Sequence, residues 1–275
     1  MLFVSACSTP PKNPGDVYDL RKQAEAQLAL GNNHADRGGF DLALTILNEA
    51  LRLAIAVDDP GLRIRVGLSR GNVLFSLDMR EEAETAWNNA LGEAEKTGNS
   101  ELIAVSRIHI ARGRLLSPEG KAAAQSIRDE VNQNLAQVKS DRLYTAFAWM
   151  IIGLAEKELG RYAQAETAVR RSLEIHEKDL YFELAAYDWF MIASFRSLDG
   201  DYRGARQALE AAIVFDRRVE NSWGLASDWR ALGDVSRKAG DRDAAIAAYL
   251  RASEIFSALG NEEAAEDALS RTENH

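Results

Sequence analysis

Few residues of this chain have the type and spacing that catalysis requires. Residues 67–71 read Gly-Leu-Ser-Arg-Gly, the pattern of a serine nucleophile on a sharp turn from a strand into a helix. Apolar residues around Ser69 recur at spacings of three and four, which predicts a helix on both sides of it and excludes that turn. The four histidines lie far apart in the sequence, at His34, His109, His176 and His275. We therefore expect no catalytic residue, no metal site and no cofactor.

The composition favours long helices in a globular chain. The 275 residues include 46% hydrophobic and 27% charged residues, close to the averages for soluble globular proteins. This balance argues against a disordered chain and against an integral membrane bundle. Of the five prolines, three lie within the first fourteen residues, so the rest of the chain offers little obstruction to helices. A net charge of −9 repels polyanions, and nucleic acid is therefore not an expected partner.

The single cysteine of the chain, Cys7, follows a short apolar stretch. Residues 2–7 read Leu-Phe-Val-Ser-Ala-Cys, and a proline-rich segment continues to Gly15. This order resembles the lipobox of bacterial lipoproteins, in which a signal peptidase cleaves before the cysteine and the thiol carries a diacylglycerol. Two or three acyl chains hold a soluble domain stably on a bilayer. The alternative is a disordered start with an incidental cysteine.

The lipobox resemblance implies a processed amino terminus. Residues 1–6 become the end of a signal peptide, and residues 7–15 become a lipidated, flexible tether. A signal peptide needs a charged start and roughly 7 to 15 apolar residues, so we expect the reading frame to begin upstream of Met1. By the same resemblance, Ser8 implies an anchor in the outer membrane that faces the periplasm, with a cytoplasmic location as the alternative. No other stretch approaches the roughly 18 apolar residues of a membrane span.

The sequence repeats itself with a period of forty residues. The segment Gly160–Ala165 recurs at Gly200–Ala205 and again at Gly240–Ala245. The same spacing separates three tryptophans, Trp149, Trp189 and Trp229. Earlier copies are less regular, and the third can be placed only through its small and apolar residues, Ala111, Ala123 and Ile127. We infer six repeats, an arrangement in which each unit buries its apolar face against its neighbours.

Each repeat contains two stretches with apolar residues three and four apart, typical of two amphipathic helices joined by a glycine turn. The order of a tryptophan, a small residue, a glycine turn and Tyr-x-x-Ala resembles the tetratricopeptide repeat over residues 16–260. The resemblance implies an all-α fold, a right-handed α-solenoid of about six helix pairs over residues 16–275, capped by a final helix at Glu262–Ser270. The family period is 34 residues, so we expect longer helices and longer links here.

The resemblance further implies that the first helix of each pair lines a concave face. Its positions outside the core are the candidate contacts to a protein or peptide partner. They are Arg65 and Asn72 in repeat two, Arg112 in repeat three, Phe147 and Met150 in repeat four, Tyr187 and Phe190 in repeat five, and Arg230 in repeat six. Exposed apolar clusters often mark binding surfaces, and the arginines could meet a carboxylate. The alternative is that these side chains pack on one another.

The sequence therefore indicates a binding scaffold. The first hypothesis is a lipid-anchored adaptor in the envelope of a Gram-negative bacterium, which holds a segment of another protein on its concave face. The second is a soluble regulatory or sensor module. A period of forty residues also resembles the long-helix repeats of bacterial transcriptional activators, which bind signalling peptides or small effectors.

Overall fold

The computed structural model describes residues 15–273, and over this range the chain forms thirteen α-helices and no strand. Successive helices pack against each other in pairs, which confirms the predicted all-α fold of helix pairs. The helices are α1 (Gly15–Asp36), α2 (Phe40–Ala56), α3 (Pro60–Ser76), α4 (Arg80–Thr97), α5 (Ser100–Leu115), α6 (Gly120–Leu135), α7 (Arg142–Glu158), α8 (Tyr162–Lys178), α9 (Phe182–Leu198), α10 (Tyr202–Arg218), α11 (Ser222–Lys238), α12 (Arg242–Ala258) and α13 (Glu262–Ser270).

The helices fall into two compact units. The first holds α1 to α4, up to Ala35 and over Gly39–Gly98. The second holds the turn residues Asp36–Gly38 together with α5 to α13. None of the described helices combines the length and the apolar character that a membrane span requires. Cys7 and the predicted signal-peptide residues 1–6 lie outside the described residues.

Turns of three residues explain the forty-residue period. Each helix from α7 to α12 spans 17 residues, and three residues separate each from the next. The middle residue of every such turn has a positive φ, at Gly160, Leu180, Gly200, Glu220 and Gly240. From α7 to α12 the links between pairs are therefore as short as the turns within pairs, and the expectation of longer links is wrong there, whereas residues 136–141 form a longer link between α6 and α7. The extra residues lie in the helices.

A small residue on one helix of a pair receives a bulky side chain from the next helix. At four pairs the small residue is glycine and the bulky one follows sixteen residues later: Gly31 with Leu47, Gly71 with Trp87, Gly153 with Val169, and Gly233 with Tyr249. A Cβ at Gly153 would lie 2.5 Å from Cγ2 of Val169, well inside van der Waals contact. Glycine is required at these positions because the helices approach too closely for a methyl group.

This packing also explains the serine flanked by glycines. Ser69 lies in the middle of α3, with helix on both sides as predicted. Gly71 receives the indole of Trp87, whose Nε1–H donates a hydrogen bond to the carbonyl of Leu68 at 3.2 Å. Gly67 faces Ala90 of α4. The two glycines serve helix packing, and no strand precedes the serine in the described residues.

The tryptophans spaced by forty are only partly buried. Trp189 packs against the core cluster of the second unit, whereas the fully buried tryptophan of the described chain is Trp87. Each of the three repeated indoles has a guanidinium over its ring, with Arg171 4.3 Å from the centroid of Trp149, Arg170 5.5 Å from that of Trp189, and Arg251 4.7 Å from that of Trp229. These indoles therefore combine packing with cation–π contacts.

The repeat places two pairs of ionisable side chains at equivalent buried positions of the second unit. Nδ1 of His176 lies 2.7 Å from Oδ2 of Asp188. Forty residues on, Asp216 takes the place of the histidine and shares a hydrogen bond with Asp228. Burial raises the pKa of Asp216 to about 6, while burial and the charge of Asp216 raise that of Asp228 to about 9. One proton is therefore retained between the two carboxyl groups at neutral pH.

The glycine packing can be tested with two substitutions in the first unit. Gly71→Ala is expected to destabilise the protein by about 1 to 3 kcal/mol, because the added methyl overlaps the buried indole of Trp87. Gly92→Ala in α4 is the control: nothing lies within 4 Å of its Cβ position, so about 0.5 to 1 kcal/mol of stabilisation is expected. Urea denaturation measures both free energies of unfolding. Equal effects of the two substitutions would contradict the packing.

The carboxyl pair predicts a pH dependence of stability. The pKa of Asp228 is 3.8 in the unfolded chain and about 9 in the folded protein. The stability that protonated Asp228 contributes is therefore fully present below the unfolded pKa, and it declines as the pH rises to the folded pKa. An amide needs no proton and can donate to Asp216. Asp228→Asn is therefore expected to raise the melting temperature at pH 8, by about 2 to 4 °C for each kcal/mol gained, and to match wild type more closely near pH 4.

The control for this pH dependence is Asp199→Asn, which changes an exposed carboxylate at the end of α9. Thermal melts of the wild type and the two variants across the pH range give the comparison. A difference between Asp228→Asn and wild type that stays constant with pH would show that Asp228 is ionised in the folded protein.

Candidate binding surfaces of the second unit

Three successive first helices, α5, α7 and α9, bring aromatic and cationic side chains together. The buried imidazole of His109 stacks on the ring of Phe147, with centroids 4.4 Å apart, and meets the ring of Tyr144 edge-on at 6.1 Å. Burial and the charge of Arg112 lower the pKa of His109 to about 3. The imidazole is therefore neutral at physiological pH, and it acts here as an aromatic packing group.

Arg112 and Tyr187 form the polar part of this surface. Burial lowers the pKa of the Arg112 guanidinium, with the charge of Tyr187 opposing the effect. Burial raises the pKa of the Tyr187 hydroxyl, opposed by Arg112. Yet 48% of Tyr187 is accessible to solvent. Tyr187 therefore presents accessible aromatic surface beside the half-buried Arg112.

The neighbouring apolar residues belong partly to the core. Tyr187 stacks on Phe190 with centroids 6.3 Å apart and planes 12° from parallel. Phe190 and Met150 are partly buried and pack against the core cluster of the second unit. These side chains therefore pack partly on one another, with Tyr187 on the accessible side, and their contact with a partner stays a prediction. We call His109, Arg112, Phe147, Tyr187 and Phe190 the aromatic surface.

The other candidate residues lie elsewhere. Arg65 and Asn72 are half-buried on α3 in the first unit. Arg230 lies on α11, 3.2 Å from a carboxylate oxygen of Asp267 and 5.5 Å from the ring centroid of Phe256. Of the eight predicted contacts, the second unit thus groups the five on α5, α7 and α9, and Arg230 is engaged near the carboxyl-terminal helix.

A second polar arrangement, which sequence reasoning did not find, involves Arg37. Its Nε and Nη2 donate to Oε1 of Glu183, at 2.9 and 2.6 Å, and Nη2 also donates to the carbonyl of Val219 at 3.1 Å. Glu183 lies in the first turn of α9, and Val219 is the C-cap of α10. The contact joins residues 146 and 182 positions apart in the chain, and no periodic signal marks it.

The residues on either side of Arg37 also lie near side chains of the second unit. Burial, and then the charge of Glu183, raise the pKa of Asp36 to about 7, although His176 and Arg37 oppose the shift. Gly38 has a φ of +76°, and a Cβ there would lie 2.7 Å from Cδ2 of Trp223. We call Glu183, the Val219 carbonyl and Trp223 the arginine site. In the described residues no group of three or more histidine, cysteine or acidic side chains is arranged to hold a metal ion.

Comparisons with known proteins agree with this architecture. The family described as tetratricopeptide repeat matches residues 148–179, which cover most of α7 and all of α8. No curated protein sequence matches the chain significantly. Solved structures with this fold share at most 18% identity in the three cases that follow, so the likeness concerns the fold alone.

BtubC from P. vanneervenii has a TM-score of 0.59 at 18% identity, covering 86% of this chain and 92% of that one. A Rap protein complexed with competence and sporulation factor has a TM-score of 0.62 at 16% identity, covering 92% and 74%. PilW, a type IV pilus biogenesis factor, has a TM-score of 0.52 at 16% identity, covering 90% and 98%. The chain thus has the helical solenoid fold that its sequence predicts, with a tetratricopeptide repeat at residues 148–179.

Proposed function

We propose that this protein is a lipid-anchored scaffold of the bacterial envelope, which binds a segment of a partner protein through the aromatic surface of its second unit. The proposal assigns no enzymatic activity. Scaffold function follows from the fold, since stacked helix pairs present extended surfaces that are suited to proteins and peptides. The finer statements concern the place of binding and the anchor, and each has its own support.

The accessible stack of Tyr187 on Phe190, beside the guanidinium of Arg112, is the observation that carries the binding proposal. Aromatic residues and arginine are enriched in protein interfaces, where large rigid rings are buried at low entropic cost. A partner segment that covers Tyr187 buries apolar area and can place a carboxylate or backbone carbonyl near Arg112. The neutral His109 beneath Phe147 adds no competing positive charge.

Fold relatives supply two kinds of partner for comparison. The Rap structure contains a bound competence and sporulation factor, and PilW acts in type IV pilus biogenesis. The first favours a soluble regulatory module that binds a signalling peptide or small effector, which is the alternative function. The second favours an envelope scaffold. We favour the envelope in our proposal because the order of residues around Cys7 resembles a lipobox.

Photo-crosslinking tests the binding surface. A photoreactive phenylalanine analogue at Tyr187 is expected to crosslink a discrete partner in intact cells. The same analogue at Val214, a residue of α10 with 63% of its surface exposed, is the matched control and is expected to give no such product. An identical set of products from both positions would show that the aromatic surface has no special role.

Substitution separates binding from packing at the same surface. Tyr187→Ala is expected to weaken partner capture while leaving the melting temperature nearly unchanged, because the side chain is accessible. Phe190→Ala should also cost about 1 to 2 kcal/mol of stability, since the ring is partly buried against the core and full burial contributes about 1.5 to 3 kcal/mol. Pull-down and thermal melts measure the two effects. Undiminished capture by Tyr187→Ala would refute the surface.

Metabolic labelling tests the anchor. Labelled palmitate is expected to enter the full-length wild type, expressed from its complete reading frame, and to be absent from Cys7→Ala. Fractionation is expected to place the wild type in the outer membrane and to find Cys7→Ala absent from that fraction. Equal labelling of the two proteins, or none in either, would favour the soluble regulatory module.

A further inference from the structure

The arginine site has the properties of a receptor for a guanidinium group. Arg37 donates three hydrogen bonds there, two to one carboxylate oxygen of Glu183 and one to the Val219 carbonyl. Val219 caps the carboxyl end of α10, where unpaired carbonyls and the helix dipole favour a cation. A carboxylate and a helix-end carbonyl side by side match the planar fork of arginine better than the single point charge of lysine.

The site also selects the residue that follows the arginine. Gly38 lies against the indole of Trp223, and its φ of +76° belongs to the left-handed region that favours glycine. A Cβ at this position would come within 2.7 Å of Cδ2 and 3.0 Å of Cε2 of Trp223. Any larger residue after the arginine would therefore lift the turn away from the ring. The recognised element is an arginine followed by glycine in a tight turn.

The present occupant is held by contacts of modest strength. The side chains of Arg37 and Glu183 keep 40% and 18% of their surfaces accessible, and ion pairs of this exposure stabilise a folded protein only weakly. The occupant is nevertheless part of the same chain, so its contact forms without the loss of translational freedom that a separate ligand undergoes. A weak contact of this kind can hold the turn in place and still permits exchange with a competing ligand.

We propose that Glu183, the Val219 carbonyl and Trp223 form a binding site for an arginine-glycine turn of a partner protein, and that the chain's own Arg37-Gly38 occupies this site until the partner displaces it. The inference goes beyond binding at the aromatic surface and does not depend on it, since the two surfaces share no residue. The bound partner segment gains the charge-assisted hydrogen bonds that Arg37 gives up.

A peptide titration tests this exchange. The probe is the acetylated and amidated pentapeptide Ala-Asp-Arg-Gly-Gly, which reproduces residues 35–39 of the chain. Binding is followed on full-length protein through the indole N–H resonance of Trp223, assigned with Trp223→Phe. Arg37→Ala removes the competing guanidinium, so we expect it to bind the peptide up to about fivefold more tightly than the wild type does, at millimolar peptide.

Specificity is tested by two changes in the same titration. A peptide with lysine in place of arginine is expected to bind Arg37→Ala several-fold more weakly, and Glu183→Gln added to Arg37→Ala is expected to abolish binding. Gly38→Ala frees the site by a different route, through overlap with Trp223, and is also expected to admit the peptide. Circular dichroism of every variant verifies that helix content is retained.

Three results would overturn the proposal. The first is an unshifted Trp223 resonance when folded Arg37→Ala is mixed with millimolar peptide. The second is equal affinity of the wild type and Arg37→Ala for the peptide, because the turn would then not compete. The third is equal affinity for the arginine and lysine peptides, which would reduce the site to general attraction of cations. None of these results bears on crosslinking at Tyr187, so failure here leaves the aromatic surface untouched.

Discussion

Close approach of paired helices, backbone against side chain, is the constraint on which the other features depend. A glycine or alanine on the first helix lets a bulky residue of the second lie against the backbone, as Trp87 does at Gly71. The same small position fixes the register of the surface residues. Phe147 and Tyr187 each lie six residues before the small residue of their helix, at Gly153 and Ala193. The close contact within each helix pair therefore also fixes the position of the aromatic residue on its first helix.

Burial of charge follows the same repeat, with different chemistry at equivalent positions. In the first pair an imidazole faces a carboxyl group, with Nδ1 of His176 2.7 Å from Oδ2 of Asp188. Where the repeat places Asp216 opposite Asp228, a proton must be taken from solvent. Since the helices and turns around the two pairs have equal lengths, the difference lies in the side chains alone. A solenoid can thus vary its response to pH without changing its backbone.

The repeat made most of the fold predictable. Glycines at forty-residue steps predicted the turns that the positive φ values of Gly160, Gly200 and Gly240 confirm. Helix lengths were harder to predict from the sequence. The equivalent turns at Leu180 and Glu220 use residue types that rarely adopt a positive φ, so the sequence gives no turn signal there. The forty-residue spacing could have revealed the two buried ionisable pairs, since His176 and Asp216 occupy the same position of the repeat. The grouping of Arg112 with Tyr187 followed from family register, whereas the share of Phe190 in the core required the packing itself.

The arginine site escaped prediction because its parts lie at helix ends. The repeat pattern predicts which face of the first helix in each pair is exposed, because side chains on that face recur at spacings of three and four. It gives no information on the residues beside the turns. A three-residue turn nevertheless leaves carbonyls at the end of the preceding helix, and Val219 shows that one of them can accept a hydrogen bond from a guanidinium. Glu183 stands in the first turn of the preceding first helix, α9, so a carboxylate and a carbonyl from different elements meet at one edge of the stack. A solenoid with uniform short turns repeats such edges, and their chemistry depends on the few residues beside each turn. Recognition at helix ends is therefore a second mode, which can vary independently of the helix faces that make the aromatic surface.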